Sequence, residues 1–279
     1  MRRRFLWVGV IAAALLPALA GCSAAPSPAP LDGVRFEVMQ GRTDYTSGTL
    51  VLRVINGGPS AVTLTRSDLT WAGFSDAAEW SATTLDAGRT VDLRTDVPAL
   101  DCDAASTAAP TLSVRTSGSS RAVTVTPDDP LATLPRLHDT GCVTVRLNRI
   151  AAIDLAGPLG LEGSGDDAVA VLSLRLTPTG ADGTVQLTGV GSTPLLAPAD
   201  GAERWPLSLT VEATSAVQTV DLRIRPARCD SHALAEDKIG TVLVLSVRID
   251  GIDGVSRFPV DDSTRQALYA FVKSVCGMP

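Results

Sequence analysis

Thr90-Val91-Asp92-Leu93-Arg94 recurs without change as Thr219-Val220-Asp221-Leu222-Arg223. In both copies apolar and polar residues alternate, which is typical of a half-buried β-strand. A cysteine follows each copy, Cys102 after the first and Cys229 after the second. A repeated strand with a repeated cysteine indicates that the chain builds the same β domain twice, and this duplication decides the fold class.

Other matches support the duplication because they keep the same order along the chain. Single matches would be noise in a sequence rich in Val, Leu, Thr and Arg, but an ordered series with a slowly drifting separation fits small loop insertions in a duplicated domain. The matched pairs are 52–54 with 174–176, 62–65 with 185–188, Trp80 with Trp205, 112–115 with 245–248, Asp128-Asp129 with Asp261-Asp262, and Cys142 with Cys276.

The remaining pattern predicts a mainly β fold. Short alternating runs, bounded by Gly, Pro, Asn and Ser, recur at the spacing of a β-sandwich. We therefore expect two tandem antiparallel β-sandwich domains of immunoglobulin-like type, each ending in a short helix and stapled by one disulfide. Domain 1 would cover residues 33–142 and domain 2 residues 143–279, after an N-terminal signal helix.

The two terminal helices are predicted to differ. In domain 2, Asp262 or Ser263 would cap a helix over 264–273 with an apolar face. In domain 1, Pro130 and Pro135 are expected to limit residues 129–137 to about one turn.

The cysteines fit an exported protein. If Cys22 is set aside, four cysteines remain and permit three pairings. The repeat favours Cys102–Cys142 and Cys229–Cys276, one bridge within each domain, and an oxidising compartment would let them persist. Free or metal-binding thiols are the alternative, but the sequence has no Cys-x-x-Cys pair.

The first residues predict export. Met1-Arg2-Arg3-Arg4 precedes an apolar run over 5–20 that ends in Leu19-Ala20-Gly21-Cys22. This tetrapeptide resembles the lipobox of bacterial lipoproteins. The resemblance implies that residues 1–21 are a signal peptide and that the Cys22 sulfur carries a diacylglyceryl group, with acyl chains such as palmitate. An uncleaved transmembrane helix or a plain secretory signal is the alternative. Residues 22–32 are then a Pro/Ser/Ala tether.

The architecture resembles immunoglobulin-like or fibronectin-type-III-like domains of bacterial surface proteins. Residues 229–240, Cys-Asp-Ser-His-Ala-Leu-Ala-Glu-Asp-Lys-Ile-Gly, resemble a stretch of uncharacterised actinobacterial exported proteins. Together with the lipobox, this implies an actinobacterial lipoprotein of uncharacterised type and brings no known activity.

Few residues offer catalytic chemistry. The chain has two histidines, His138 and His232, and no nucleophile elbow, phosphate loop or dinucleotide motif. A net charge of -6 argues against nucleic acid as a partner. Residues 250–254, Asp-Gly-Ile-Asp-Gly, hint at a calcium loop but fit a hairpin turn better. We therefore expect no enzyme, no cofactor and no metal site.

Two segments that the copies do not share are candidate sites. The first is Asp230, His232, Glu236 and Lys238, either a binding site or a capped loop helix that supports the disulfide corner. The second is the loop around Trp71 and Phe74, either an anchor for a partner or a cover for the end of the sandwich.

The sequence therefore predicts a lipoprotein anchored to the extracytoplasmic face of the cell membrane. It would act as a binding or scaffold module for an envelope protein or a cell-wall component. The alternative is a small-molecule or metal-binding domain, or a cryptic hydrolase, centred on His232 and Glu236.

Overall fold

The protein folds as two β-sandwich domains. A computed structural model describes residues 31–41, 43–104, 106–235 and 239–278. Within them one hydrophobic core gathers side chains between Phe36 and Leu134, and a separate core gathers side chains between Leu147 and Val272. The signal peptide, Cys22 and most of the tether lie outside the described residues.

Domain 1 pairs a three-stranded sheet with a second, larger sheet. The first sheet has the order β1-β2-β6 and the second β4-β3-β7-β8, with β5 also paired to β3, and every one of these pairings is antiparallel. This division of strands is that of an immunoglobulin-like sandwich. The elements are β1 (Val34–Met39), α1 (Asp44–Ser47), β2 (Thr49–Asn56), β3 (Val62–Thr70), β4 (Ala78–Trp80), β5 (Thr83–Leu85), β6 (Thr90–Asp96), β7 (Thr111–Thr116), β8 (Val123–Val125) and α2 (Thr133–Ile150).

Domain 2 repeats this arrangement. Its sheets have the orders β10-β11-β15-β13, with β9 also paired to β11, and β14-β12-β16-β17. The elements are β9 (Ala151–Leu155), β10 (Gly160–Glu162), β11 (Val169–Pro178), β12 (Thr184–Gly191), β13 (Leu196–Pro198), β14 (Arg204–Glu212), β15 (Gln218–Pro226), α3 (Ser231–Ala235), β16 (Val242–Ile249), β17 (Ile252–Pro259) and α4 (Asp262–Val275).

The repeated Thr-Val-Asp-Leu-Arg stretch forms β6 and β15, which pair with β2 and β11. Leu52 lies opposite Leu93, and Leu172 lies opposite Leu222. The register therefore matches Leu52 to Leu172, two residues away from the Leu174 of the sequence match. A slip of two residues keeps the same side chains facing the core, so the strand pattern alone could not detect it.

Both predicted disulfides are present. Cys102 and Cys142 have Cα atoms 5.4 Å apart, and those of Cys229 and Cys276 are 5.2 Å apart. Each bridge joins the segment after the repeated strand to a helix, at the middle of α2 through Cys142 and at the C-terminal end of α4 through Cys276. The bridges thus hold α2 and α4 against their sandwiches.

Helix α2 is much longer than the single turn expected from its prolines. It runs unbroken for 18 residues, and Pro135 is its third residue. A proline in the first turn removes an N–H that has no partner within the helix, so the helix continues through it. Asp129 caps the start, since its two carboxylate oxygens accept from the backbone N–H groups of Thr133 at 2.6 Å and Leu134 at 2.9 Å.

Helix α2 belongs to both domains. Leu134 in its first turn is buried in the core of domain 1, while Leu147 and Ile150 at its end are buried in the core of domain 2. The predicted boundary between residues 142 and 143 therefore lies inside a continuous helix. Strand β9 follows the helix without a linker.

Helix α4 extends over Asp262–Val275, longer than the predicted 264–273, and buries Leu268, Phe271 and Val272 as its apolar face predicts. Its N-cap is Asp261, not Asp262 or Ser263. The Asp261 carboxylate accepts from the Thr264 backbone N–H at 2.8 Å and from the Ser263 hydroxyl at 2.5 Å. These hydrogen bonds, with the Ser263 hydroxyl contributing most, lower the pKa of Asp261 to about 2.

Residues 250–254, which the sequence allowed as a calcium loop but favoured as a hairpin turn, contain the hairpin turn between β16 and β17. Asp250 and Gly251 both have positive φ, 49° and 85°. Two successive residues of this kind form the type I′ turn that suits a two-residue hairpin.

We predict that Asp261→Ala lowers the stability of the folded protein in a pH-dependent way. An unfolded aspartate has a pKa of about 3.9, so the stabilisation from the depressed pKa is complete above that value and is lost as the pH falls through about 2. The difference in urea midpoint between wild type and variant should therefore narrow from pH 5 to pH 2. Asp261→Asn, which caps without titrating, is the control. A difference independent of pH would contradict the assignment.

Candidate functional site

A cavity lies where α1, α2 and β17 meet, between the two domains. Its volume is about 230 Å³, and we call it the junction cavity. Its wall includes Gln40, Tyr45, Leu100, Arg136, Thr144 and Arg257. Since Arg257 comes from domain 2 and the other five from domain 1 and α2, the site exists only while the two domains stay together.

Two contacts, one polar and one apolar, hold β17 against α2. The hydroxyls of Thr144 and Ser256 share a hydrogen bond of 2.9 Å, and Ser256 is buried. A Cβ on Gly254 would lie 2.7 Å from the Val143 side chain, so the glycine lets the strand approach the helix closely. This contact fixes Arg257 beside the cavity.

Tyr45 contacts two cations. Its ring centroid is 4.8 Å from Cζ of Arg136 and 5.2 Å from Cζ of Arg257, within the range of a cation–π interaction. Tyr45 is held at this position by α1, whose Asp44 is buried, accepts from the Gly41 N–H at 2.7 Å and pairs with Arg94. The wall of the junction cavity contains no Asp or Glu among the described residues, so its charge is positive.

Three polar atoms of the wall are buried without a hydrogen-bond partner among the described residues. They are Oε1 of Gln40 and Nε and Nη2 of Arg136. Gln40 is only 3% exposed, and its Nε2 donates to the Thr49 carbonyl at 2.7 Å, which fixes the identity of the open oxygen. Arg136 uses Nη1 for the Leu131 carbonyl at 3.2 Å. An unsatisfied buried polar group costs about 1–3 kcal/mol. A ligand or water that paired with these atoms would therefore stabilise the folded protein.

A second, larger opening of about 520 Å³ lies between α2 and the β16–β17 hairpin. Three of its charged side chains have partners: Arg146 donates to the Cys102 carbonyl at 3.2 Å, Asp250 accepts from the Thr184 backbone N–H at 2.9 Å, and Asp253 accepts two hydrogen bonds from Arg248. The exposed Val145 and Ile252 line its rim. This cleft is an open, partly apolar surface without a buried polar atom that awaits a partner among the described residues.

The structure places Trp71 and Phe74 in the core of domain 1. Each is 6% exposed, their rings meet edge to face at 5.1 Å, and Trp71 Nε1 donates to the Ala108 carbonyl at 2.9 Å. His138 of α2 completes the cluster, with its ring 5.8 Å from that of Trp71. This burial favours the interpretation in which the two aromatic side chains cover the end of the sandwich over the one in which they anchor a partner.

The segment around His232 forms a short helix at the other disulfide corner. The Asp230 carboxylate accepts from the His232 backbone N–H at 2.9 Å and pairs with Arg228, while the His232 side chain is exposed. Glu236 and Lys238, the other members of this candidate site, lie outside the described residues. Neither this corner nor any other part of the described chain groups three His, Cys, Asp or Glu side chains closely enough for a metal ion.

Comparisons with known proteins give no family. No family model matches the chain, and no curated protein matches it. Among solved structures it is similar to red sea bream transglutaminase (11% identity, 82% of this chain and 31% of that one, TM-score 0.24). It is also similar to the YadV chaperone (13% identity, 81% and 100%, TM-score 0.24) and to CBD12 from CALX1.2 (14%, 77% and 79%, TM-score 0.22). The chain spans about a third of the transglutaminase, and at these scores the fold class rests on the strand pairings of the chain itself.

Sequence reasoning missed the junction cavity. Gln40, Arg136 and Arg257 are far apart in the chain, and no motif connects them. One signal was available: the segment over 40–48, with Tyr45, has no sequence match in the second copy.

Among the described helices none is both long enough and apolar enough to span a membrane.

We predict that Gly254→Ala destabilises the protein by about 1–3 kcal/mol, the usual effect of overpacking, because the new methyl group meets Val143 of α2. The measurement is the urea midpoint. Gly157→Ala is the matched control, since a Cβ there has no heavy atom within 4 Å. Equal midpoints for the two variants would show that β17 is not clamped to α2.

Proposed function

We propose that the protein is a lipoprotein anchored by Cys22 to the extracytoplasmic face of the cell membrane. It acts there, without catalysis, as a binding or scaffold module for an envelope protein or a cell-wall component. Export and anchoring are supported by the cationic start, the apolar run and the Leu19-Ala20-Gly21-Cys22 tetrapeptide. The two disulfides agree with an oxidising compartment outside the cytoplasm.

The observation that carries the binding function is the junction cavity. Buried polar atoms without partners are uncommon in native proteins and call for an explanation such as a bound group. Here three of them belong to two residues of the wall of one cavity, at the interface of two domains, which is a common position for ligand sites. Since both domains are rigidly stapled sandwiches, this site would be largely formed before a ligand arrives.

Anchoring through one cysteine also sets the geometry of binding. Acyl chains add roughly 0.8 kcal/mol per buried methylene, so two or more chains hold a protein stably. The tether over 22–32 then separates the folded domains from the lipid surface by a short Pro-rich stretch. A module held in this way meets proteins and glycans close to the membrane.

We predict that Cys22→Ala moves the protein out of the membrane fraction. The variant has no sulfur to acylate, so intact-mass measurement should find the diacylglyceryl group on wild-type protein only. Cys229→Ala, which changes a cysteine of a structural disulfide, is the control for cysteine loss and should stay in the membrane fraction. Retention of Cys22→Ala in membranes washed at high salt would contradict a lipid anchor.

We further predict that in-cell crosslinking of the anchored protein enriches one envelope protein or cell-wall glycan. The comparison protein carries residues 1–32 of this chain fused to an unrelated β-sandwich, so it shares the membrane position and lacks the domains. Mass spectrometry identifies what the complete protein captures and the comparison protein does not. Identical capture by both would mean that the domains bind nothing specific.

A further inference from the structure

Arg136 presents the edge of its guanidinium that proteins use to hold a carboxylate. An arginine binds a carboxylate with two parallel hydrogen bonds, and this geometry gives both strength and specificity. The chain contains two such pairs. Arg53 donates from Nε and Nη2 to the two oxygens of Asp92 at 2.8 and 2.9 Å, and Arg248 does the same to Asp253 at 2.7 and 3.1 Å.

The same two nitrogens of Arg136 have no acceptor among the described residues, although both are buried. The pairs that Arg53 and Arg248 form with their aspartates show which acceptor these nitrogens fit. In both completed pairs the pKa of the aspartate is lowered, mainly by the hydrogen bonds from its arginine, so this edge selects the charged carboxylate. Arg136, in the wall of the junction cavity, therefore carries one half of a carboxylate pair, which its neighbours cover in this structure.

The surroundings favour a single negative charge. Arg257 supplies a second cation, its Cζ 5.2 Å from the centroid of the Tyr45 ring. No acidic side chain lies in the described wall to neutralise the two arginines. Asp44, the buried acid of the neighbouring helix α1, is already paired with Arg94.

The size and the third open atom narrow the ligand further. A volume of about 230 Å³ is several times the roughly 30 Å³ that one water occupies in the liquid, yet it is below the usual size of a site for drug-sized ligands. Val97, Leu100 and Leu137 make part of the wall apolar. Gln40 Oε1 can only accept, so it fits a hydroxyl or an N–H.

We propose that the junction cavity binds a small carboxylate with an apolar body and a hydroxyl or N–H group beside the carboxylate. The carboxylate pairs with Nε and Nη2 of Arg136, and Gln40 Oε1 accepts from the hydroxyl or N–H. The unpaired nitrogens of Arg136 are buried, so the ligand must displace a side chain of the wall to reach them. That side chain is Tyr45, whose ring packs against Arg136 and which lies on the four-residue helix α1. This assignment rests on the proposed binding function and names its ligand class.

The test is calorimetric titration of the mature chain, purified from membranes in detergent, with matched probes. These are 2-hydroxy-4-methylpentanoate, its amide, and 4-methylpentanoate. We expect the hydroxy acid to bind, the neutral amide to bind at least about tenfold more weakly, and the acid without the hydroxyl to bind several-fold more weakly. Equal affinity for acid and amide, or no binding of either acid, would overturn the proposal.

Variants of the cavity wall test whether binding of the hydroxy acid depends on Arg136. Arg136→Gln should weaken binding of the hydroxy acid by at least about tenfold, and Arg136→Lys, which keeps the charge without the two-nitrogen edge, should also weaken it. Arg257→Gln changes an exposed side chain of the same wall, so it removes the second positive charge without altering a buried residue, and it should also weaken binding of the hydroxy acid. Arg175→Gln, on the exposed face of β11, is the control for loss of a positive charge. Unchanged affinity in Arg136→Gln would overturn the assignment.

A final probe separates the two sources of such a carboxylate. N-acetylglycyl-leucine offers the same chemistry at a peptide C-terminus, so stronger binding than the hydroxy acid would assign the site to peptide ends, and weaker binding to free acids. If crosslinking captures a partner but no probe binds, the ligand class is wrong and the binding function stands. If the probes bind with the expected dependence on Arg136 but nothing is captured, the envelope-partner function fails and the site stands.

Discussion

The helix α2 is the constraint on which the rest of the structure depends. Its first turn fills the core of domain 1 through Leu134, and its last turn fills the core of domain 2 through Leu147 and Ile150. A disulfide fixes its middle to the segment after β6. Because burial of each such side chain contributes on the order of 1.5–3 kcal/mol, the domains cannot swing apart without exposing one end of the helix. The two domains of the tandem repeat therefore share one element of their cores.

This sharing explains why the two copies are not equivalent. Helix α4 occupies the matching position in domain 2, and among the described residues no second sandwich packs against it. Helix α2 faces a second sandwich, and there Arg257 of domain 2 approaches the Tyr45 ring of domain 1. The junction cavity is thus a product of the tandem arrangement. A single copy of the domain would not contain it.

The sequence predicted the parts of the fold that repeat and missed the parts that depend on packing between copies. Alternation predicted the mainly β fold, and the repeat identified both disulfide pairs. Pro135 was misleading because its effect depends on where the helix begins, which the Asp129 cap decides. Glu236 and Lys238 lie outside the described residues, so that part of the candidate site stays a prediction. Gln40, Arg136 and Arg257 could not be grouped because their proximity arises only once α2 joins the two sandwiches.

The contrast between the arginines of this chain bears on why Arg136 lies where it does. Arg53 and Arg248 pair with aspartates near the surface, where ion pairs contribute little to stability. Arg136 instead carries buried nitrogens without acceptors, an arrangement that reduces stability when the pair is incomplete. An apolar side chain of similar length would fill the same wall without that loss. Stability alone therefore does not account for an arginine at this position, whereas recognition of a negatively charged group does. The same reasoning applies to Gln40, whose amide nitrogen serves the fold through Thr49 while its oxygen serves nothing in the described chain. Two residues of the same cavity wall that each keep a buried polar atom without a partner in the described chain are better explained by a shared ligand than by two separate defects of packing.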